Sequence, residues 1–256
     1  MRLDVKFEGF LMKANLYEIF CSIQGEGLLV GTKQVFLRLT GCNLRCSYCD
    51  TMESFSGVKE CLIYPVVGKT SGAKLMSNPV SVSKICNLID SYSAPWLSLT
   101  GGEPLLQAEF MEELLLHSKD SNYKVLLETN GSLPDHLTKI IDYLDCISMD
   151  MKLPNVVGKE LWDEHQEFLR IAAKKPIYIK IIITPDYEMK DFAKALQIIK
   201  KIDINIPLFI QPVTPKVMIT NDSIDIYEAI SLQSYALGFI NDVRILPQIH
   251  PWLKLT

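Results

Sequence analysis

Two hydrophobic periods alternate along this chain. Short runs rich in Val, Ile, Leu and Phe at 35–40, 96–100, 125–129, 146–152, 177–184 and 207–213 read as β-strands. Elsewhere apolar residues return every three or four positions, as at Val82, Ile85, Leu88 and Ile89. That spacing predicts helices over 80–92, 105–117, 134–143, 161–173, 192–202 and 225–235. Strand, turn and helix repeated six times imply a parallel sheet with right-handed crossovers. The expected fold class is α/β: a partial (β/α)6 TIM-like barrel, open on one side, with functional groups at the C-terminal ends of the strands. Residues 1–16 carry little signal and read as an N-terminal extension. The stretch 17–27 reads as a turn before the first strand. Residues 52–79 hold Gly, Ser, Lys and Pro without a clear period, which predicts a loop or irregular insertion. One domain over 1–256 is expected, its core at about 17–250.

Composition narrows the class. A chain of 256 residues can bury one large core. Its 48% hydrophobic and 22% charged residues fit an ordinary water-soluble profile. A net charge of −4 argues against a nucleic-acid partner, which needs a basic face. No apolar run reaches the roughly 18 residues of a membrane span. The opening MRLDVKFEGF lacks the apolar core and cleavage site of a secretory signal. The expected compartment is therefore cytoplasmic, with no membrane partner.

Seven cysteines change the picture. Cys42, Cys46 and Cys49 form a C-x3-C-x2-C set directly after the first strand. Thiolates are soft ligands that suit zinc or iron–sulfur clusters. A structural zinc normally closes with four ligands, so three close cysteines suggest a cluster with one iron left open for substrate or cofactor. Zinc completed by a remote ligand, or plain burial, are the competing readings. Cys21, Cys61, Cys86 and Cys146 are scattered and read as small core or surface residues.

Other polar residues each have a bland reading and a functional one. Gly25 and Gly27 flank Glu26, where backbone can approach a ligand closely or simply turn. Arg38 lies in an apolar strand, either on a solvated face or as a fork for a carboxylate. Asp50 and Thr51 suit a helix cap or a magnesium ion. Glu128 needs a partner wherever it lies. Glu103, Asn130, Ser148, Asp150 and Lys152 follow or end strands, as a polar rim or as a ligand shell. His117, His136 and His165 fall on or beside helices and read as solvated.

Together, the three cysteines and Gly101-Gly102-Glu103-Pro104, each after a strand, resemble the radical S-adenosylmethionine (SAM) superfamily. Ser22-Ile23-Gln24-Gly25-Glu26-Gly27, a strand containing Arg38, and Thr40 through Thr51 resemble more narrowly the 7-carboxy-7-deazaguanine synthases. The stretch 243–252 is similar to that family's end. The resemblance implies a 4Fe-4S cluster on Cys42, Cys46 and Cys49, with SAM on the fourth iron. It implies SAM contacts at Tyr48, Cys49, Asp50, Gly102 and Glu103. It extends these to Ser148, Asp150 and Lys152, although many relatives carry a shorter Ser-Pro-Lys segment there. Substrate contacts are implied at Ile23, Gln24, Gly25, Glu26, Arg38 and Thr100, with Gln248 and His250 as candidates from the tail. Mg2+ would sit at Thr51. The implied reaction is radical ring contraction of 6-carboxy-5,6,7,8-tetrahydropterin to 7-carboxy-7-deazaguanine with loss of ammonia. It serves queuosine or archaeosine biosynthesis, with electrons from a flavodoxin- or ferredoxin-type donor. A homodimer is the family expectation. The alternatives are a glycyl-radical-enzyme activating enzyme, which shares the cysteine spacing, and a non-enzymatic zinc-stabilised binding module.

Overall fold

A computed structural model describes residues 12–65, 72–118, 121–214, 224–251 and 253. The first eleven residues, part of the insertion and Trp252 lie outside the described residues. The strands are β1 (Lys13–Ala14), β2 (Leu16–Ile23), β3 (Lys33–Leu39), β4 (Glu60–Ile63), β5 (Lys74–Ser77), β6 (Val80–Ser81), β7 (Trp96–Gly101), β8 (Lys124–Thr129), β9 (Cys146–Asp150), β10 (Ile177–Ile183), β11 (Leu208–Pro212) and β12 (Val243–Ile245). The helices are α1 (Val82–Ser91), α2 (Ala108–Ser118), α3 (Pro134–Ile140), α4 (Pro154–Val157), α5 (Trp162–Ala172), α6 (Met189–Ile202) and α7 (Ile226–Ala236).

Ten strands form one sheet in the order β12-β11-β10-β9-β8-β7-β3-β2-β4-β5. From β3 to β12 every neighbouring pair is parallel. This is the partial barrel that the six units imply. Strand parity sorts its two faces. On β10, Ile177, Ile179, Ile181 and Ile183 join the main core. The alternate residues Tyr178, Lys180 and Ile182 face the lumen, where Tyr178 packs with Leu126, Cys146 and Phe209 beneath the cavity that Lys180 and Ile182 line. Helices supply the outer layer: α5 buries Trp162, Phe168 and Leu169, and α6 buries Phe192, Leu196 and Ile199. Among the described residues, no helix is long and apolar enough to cross a membrane.

The structure departs from the expected elements in several places. Residues 16–23 are strand β2, antiparallel to β3, and the turn comes only after Ile23. Within the expected insertion, β4 and β5 form an antiparallel pair that extends the sheet beyond β2. Asn78 ties that hairpin to β2, exchanging bonds of 3.1 and 2.7 Å with the Leu16 backbone. Val80–Ser81 pairs with Lys13–Ala14, so α1 starts at Val82. A 3-10 turn at Pro104–Gln107 precedes α2, with Pro104 in its first turn. The four scattered cysteines are all buried.

Leu37 is fully buried in β3, between β2 and β7. Leu37→Ala is expected to cost about 2–5 kcal/mol in urea unfolding. Leu75→Ala, on the exposed β5 hairpin, should stay within about 0.5 kcal/mol of the parent.

Candidate functional site

One cavity of about 730 Å³ opens among the C-terminal ends of the parallel strands. Its rim on one side is the loop after β3. Arg45 pins that loop: its Nη1 donates to the Cys42 and Leu44 carbonyls at 2.8 and 2.7 Å, and its guanidinium lies 4.4 Å from the Phe55 ring centre. Cys42, Cys46, Cys49, Tyr48, Asp50 and Thr51 all line the cavity. The Leu44 N–H points at Cys42 Sγ, 3.4 Å away. Burial pushes the Cys42 thiol up and the Cys46 thiol up to about 11. Iron in place of those protons removes the cost of ionising them. Cys42, Cys46 and Cys49 are free thiols of one loop that line one cavity, which fits a cluster that would put each thiolate on a separate iron. Thr51 precedes the 3-10 turn Met52–Phe55 but makes no side-chain cap; its hydroxyl lies 3.8 Å from Cys49 Sγ.

The glycine turn after β7 packs directly on that loop. A Cβ at Gly101 would fall 2.2 Å from the Leu39 carbonyl oxygen, at a φ of +147°. One at Gly102 would fall 2.3 Å from the Gly41 oxygen and 2.7 Å from Cys42 Cβ. Only glycine allows this contact. Gly102 lines the cavity; Glu103 does not. Its fully buried carboxylate turns inward and accepts from Leu105 N–H (3.1 Å), Thr129 Oγ1 (2.8 Å) and Asn130 N–H (2.8 Å). It braces the turn from behind. Asn130 continues the bracing, donating to Asn43 at 3.0 Å, while Asn43 donates to Ser132 at 2.8 Å.

Ser148, Asp150 and Lys152 line the wall beyond. The Lys152 ammonium sits between Asp150 (2.7 Å) and the Tyr48 hydroxyl (2.9 Å), above the Tyr48 ring. Burial alone would discharge it, but Asp150 and Tyr48 hold it protonated, well above the usual lysine range.

The cavity floor gathers Ile23, Gln24, Gly25, Glu26, Arg38 and Thr100. Arg38 is paired after all: its Nε donates to buried Glu18 at 2.8 Å. Glu128 is a hub, accepting from Gln24 (2.8 Å), Ser98 (2.7 Å) and Thr100 (3.3 Å). From the tail, Gln248 donates to Glu26, and Ile249 N–H donates to the Gly25 carbonyl at 3.0 Å. The His250 ring lies so close that a Cβ at Gly25 would be 2.6 Å from its Nδ1.

Two cavity residues, Lys180 and Gln211, were not anticipated. Each hides in an apolar strand run, and lumen parity on β10 and β11 is the signal that finds them. His165 corrects the solvated reading. It is fully buried on α5, with Nε2 3.2 Å from the Asn130 carbonyl, and burial lowers it to about 4. His136 is half-buried, with Nδ1 2.7 Å from the Leu105 carbonyl.

Burial pushes Glu103 up to about 7 from its ordinary 4.5, despite its three donors. The folded protein then keeps a proton that the unfolded chain has released. Its stabilising contribution should be full below pH 4.5 and be lost as pH rises to about 7. A loss of up to about 3 kcal/mol is expected in urea unfolding of the metal-free protein. Glu103→Gln should flatten that slope.

The radical SAM superfamily profile matches residues 37–199. The chain is 36% identical to the 7-carboxy-7-deazaguanine synthase of Geobacter sulfurreducens, over 94% of this chain and 97% of that protein. It is 35% identical to the protein of that name from Methanopyrus kandleri, over 92% of each. Among solved structures, it is similar in fold to QueE from Escherichia coli, with a TM-score of 0.62, 20% identity and coverage of 93% of this chain and 95% of that one.

Proposed function

The chain belongs to the 7-carboxy-7-deazaguanine synthase family of the radical SAM superfamily, and we propose from that premise what its residues do. It is a ring-contracting lyase of 7-deazapurine biosynthesis, converting 6-carboxy-5,6,7,8-tetrahydropterin to 7-carboxy-7-deazaguanine and ammonia. One observation supports the residue assignment. The cysteine loop, the glycine turn and the polar floor from Gln24 to Arg38 all face a single cavity.

Bound there, a 4Fe-4S cluster and SAM supply hydrogen abstraction from carbon, which no side chain performs. Cys42, Cys46 and Cys49 hold the cluster on a loop that Arg45 keeps in shape. Tyr48, Cys49, Asp50, Gly102, Ser148, Asp150 and Lys152 face SAM. The Lys152 ammonium, fixed between Asp150 and Tyr48, is a standing positive charge rather than a proton donor. Glu103 serves from behind the glycine turn. On the floor, Arg38 takes the substrate carboxylate, and Ile23, Gln24, Gly25, Glu26, Thr100 and His250 surround the pterin. Backbone at Gly25 and carboxylate at Glu26 suit a flat ring bearing N–H donors. Thr51, its hydroxyl not engaged as a cap, would hold Mg2+.

The finer setting follows the family. A flavodoxin- or ferredoxin-type protein donates the electron, the enzyme works in the cytoplasm as a homodimer, and 1–256 is a single domain.

Anaerobic incubation of reconstituted protein with SAM, dithionite, magnesium and the pterin tests the reading, with product followed by mass and ultraviolet absorption. Formation of 7-carboxy-7-deazaguanine is expected; SAM cleavage without it would sink the substrate assignment. Arg38→Ala should raise the KM for the pterin by roughly 10–100-fold with the cluster intact. Thr51→Ala should abolish the stimulation by magnesium that the parent shows after chelation and re-addition. Equal stimulation in both proteins would move the metal elsewhere.

A further inference from the structure

Among the described residues, Arg38, Lys152 and Lys180 are the lysines and arginines lining the cavity, and only Lys180 has no role above. It stands at the middle of β10, 6% exposed, facing the lumen. Its Nζ pairs with Glu26 Oε2. The other oxygen, Oε1, accepts from Gln248 Nε2 of the tail and, at 3.4 Å, from Gln211 Nε2 of β11. Gln211 is itself 2% exposed, and its Oε1 has no hydrogen-bond partner among the described residues. Gln248 Nε2 also reaches Asp50 Oδ2 at 3.3 Å. Glu26 is thus gripped from β10, β11 and the tail, whereas the floor's other carboxylate, Glu128, accepts from Gln24, Ser98 and Thr100 and, among the described residues, has no cation on it. An ion pair serving only the fold has no need to line that cavity.

We propose that Lys180 is a positioning residue for the ring contraction, acting through Glu26: it holds that carboxylate in the lumen as a fixed acceptor for N–H groups of the pterin. This rests on the family reading of the site.

The charges around the pair decide the test. Lys180 faces Glu26 from β10, His250 faces it from the tail, and Asp50 is reached through Gln248. Lys180 in turn feels Asp150 of β9, Glu128 of β8 and its strand neighbour Tyr178. Burial drives the Glu26 carboxyl up; Lys180 first, then Gln248 and His250, outweigh it and hold the group at about 2. Without the ammonium the largest opposing charge is gone, so burial raises the Glu26 carboxyl and favours its protonated form, which offers a hydroxyl where the substrate needs an acceptor.

The test compares the reconstituted parent with Lys180→Gln, Lys180→Arg, Glu26→Gln and the double variant Lys180→Gln/Glu26→Gln. KM is measured for 6-carboxytetrahydropterin and for SAM, from about pH 6 to about pH 9. Lys180→Gln should raise the pterin KM by about 30-fold near neutral pH. That KM should fall as pH rises, a dependence absent from the parent, while the SAM KM and substrate-free SAM cleavage stay unchanged. Lys180→Arg should recover most of the pterin affinity. The double variant should be no worse than Glu26→Gln alone, and this neutral pair remains informative if Lys180→Gln misfolds around an unpaired buried carboxylate. An unchanged pterin KM in Lys180→Gln overturns the proposal, as does an equal rise in the SAM KM or a double variant much weaker than Glu26→Gln. If the parent cleaves SAM but makes no deazapurine, the family reading of the substrate falls and the proposal with it. If the parent makes product and Lys180→Gln matches it, the proposal falls alone.

Discussion

The two sides of an open barrel share no ladder of hydrogen bonds, and here a buried ion pair joins them. Glu26 follows β2, Lys180 sits in β10, and four strands separate β2 from β10 in the sheet. Each charge would be costly in a lumen without the other. Around the pair, neighbouring segments find their places. The 3-10 turn Gly27–Leu29 lies against the Tyr178 ring, close enough that a Cβ at Gly27 would fall 2.1 Å from it. The tail is bonded to Gly25 and Glu26. Loss of the pair would loosen the floor of the cavity more than the sheet that surrounds it.

A second constraint is steric. The β7 turn and the cysteine loop approach so closely that Gly101 and Gly102 have no room for a side chain. Glu103 supports this contact, satisfying donors from its own turn and from the end of β8. The loop that carries the thiols is thus held by backbone packing and by a buried carboxylate behind the turn it packs on.

Much of this was legible in the sequence because the inner strands of a barrel are buried on both faces. Their continuous apolar runs stand out, and the expected strands fall within a few residues of β3 and β7 to β11. β2 was not legible: Glu18 and Ser22 interrupt its apolar pattern, and both are buried by facing Arg38 or the cavity. β4 and β5 are short, and β5 is largely exposed, so neither carries a strong period. The motifs located the site, because ligand groups follow strand ends. They did not give the direction of a side chain, so Glu103 was expected at the cavity surface and lies behind it. Lys180 was hidden by its own neighbours, a lone cation among isoleucines whose burial depends on a carboxylate 154 positions earlier. His165 was read as solvated because a helix position alone does not say which helix face the sheet covers.

The lumen is plugged from below by Leu126, Cys146, Tyr178 and Phe209, with Trp96, Leu29 and Leu246 against them. Above this plug come Glu26, Glu128 and Lys180, and above those the cysteine loop at the strand ends. A polar layer set over an apolar plug has little water beneath it, so its carboxylates and its ammonium must find their partners within the layer itself.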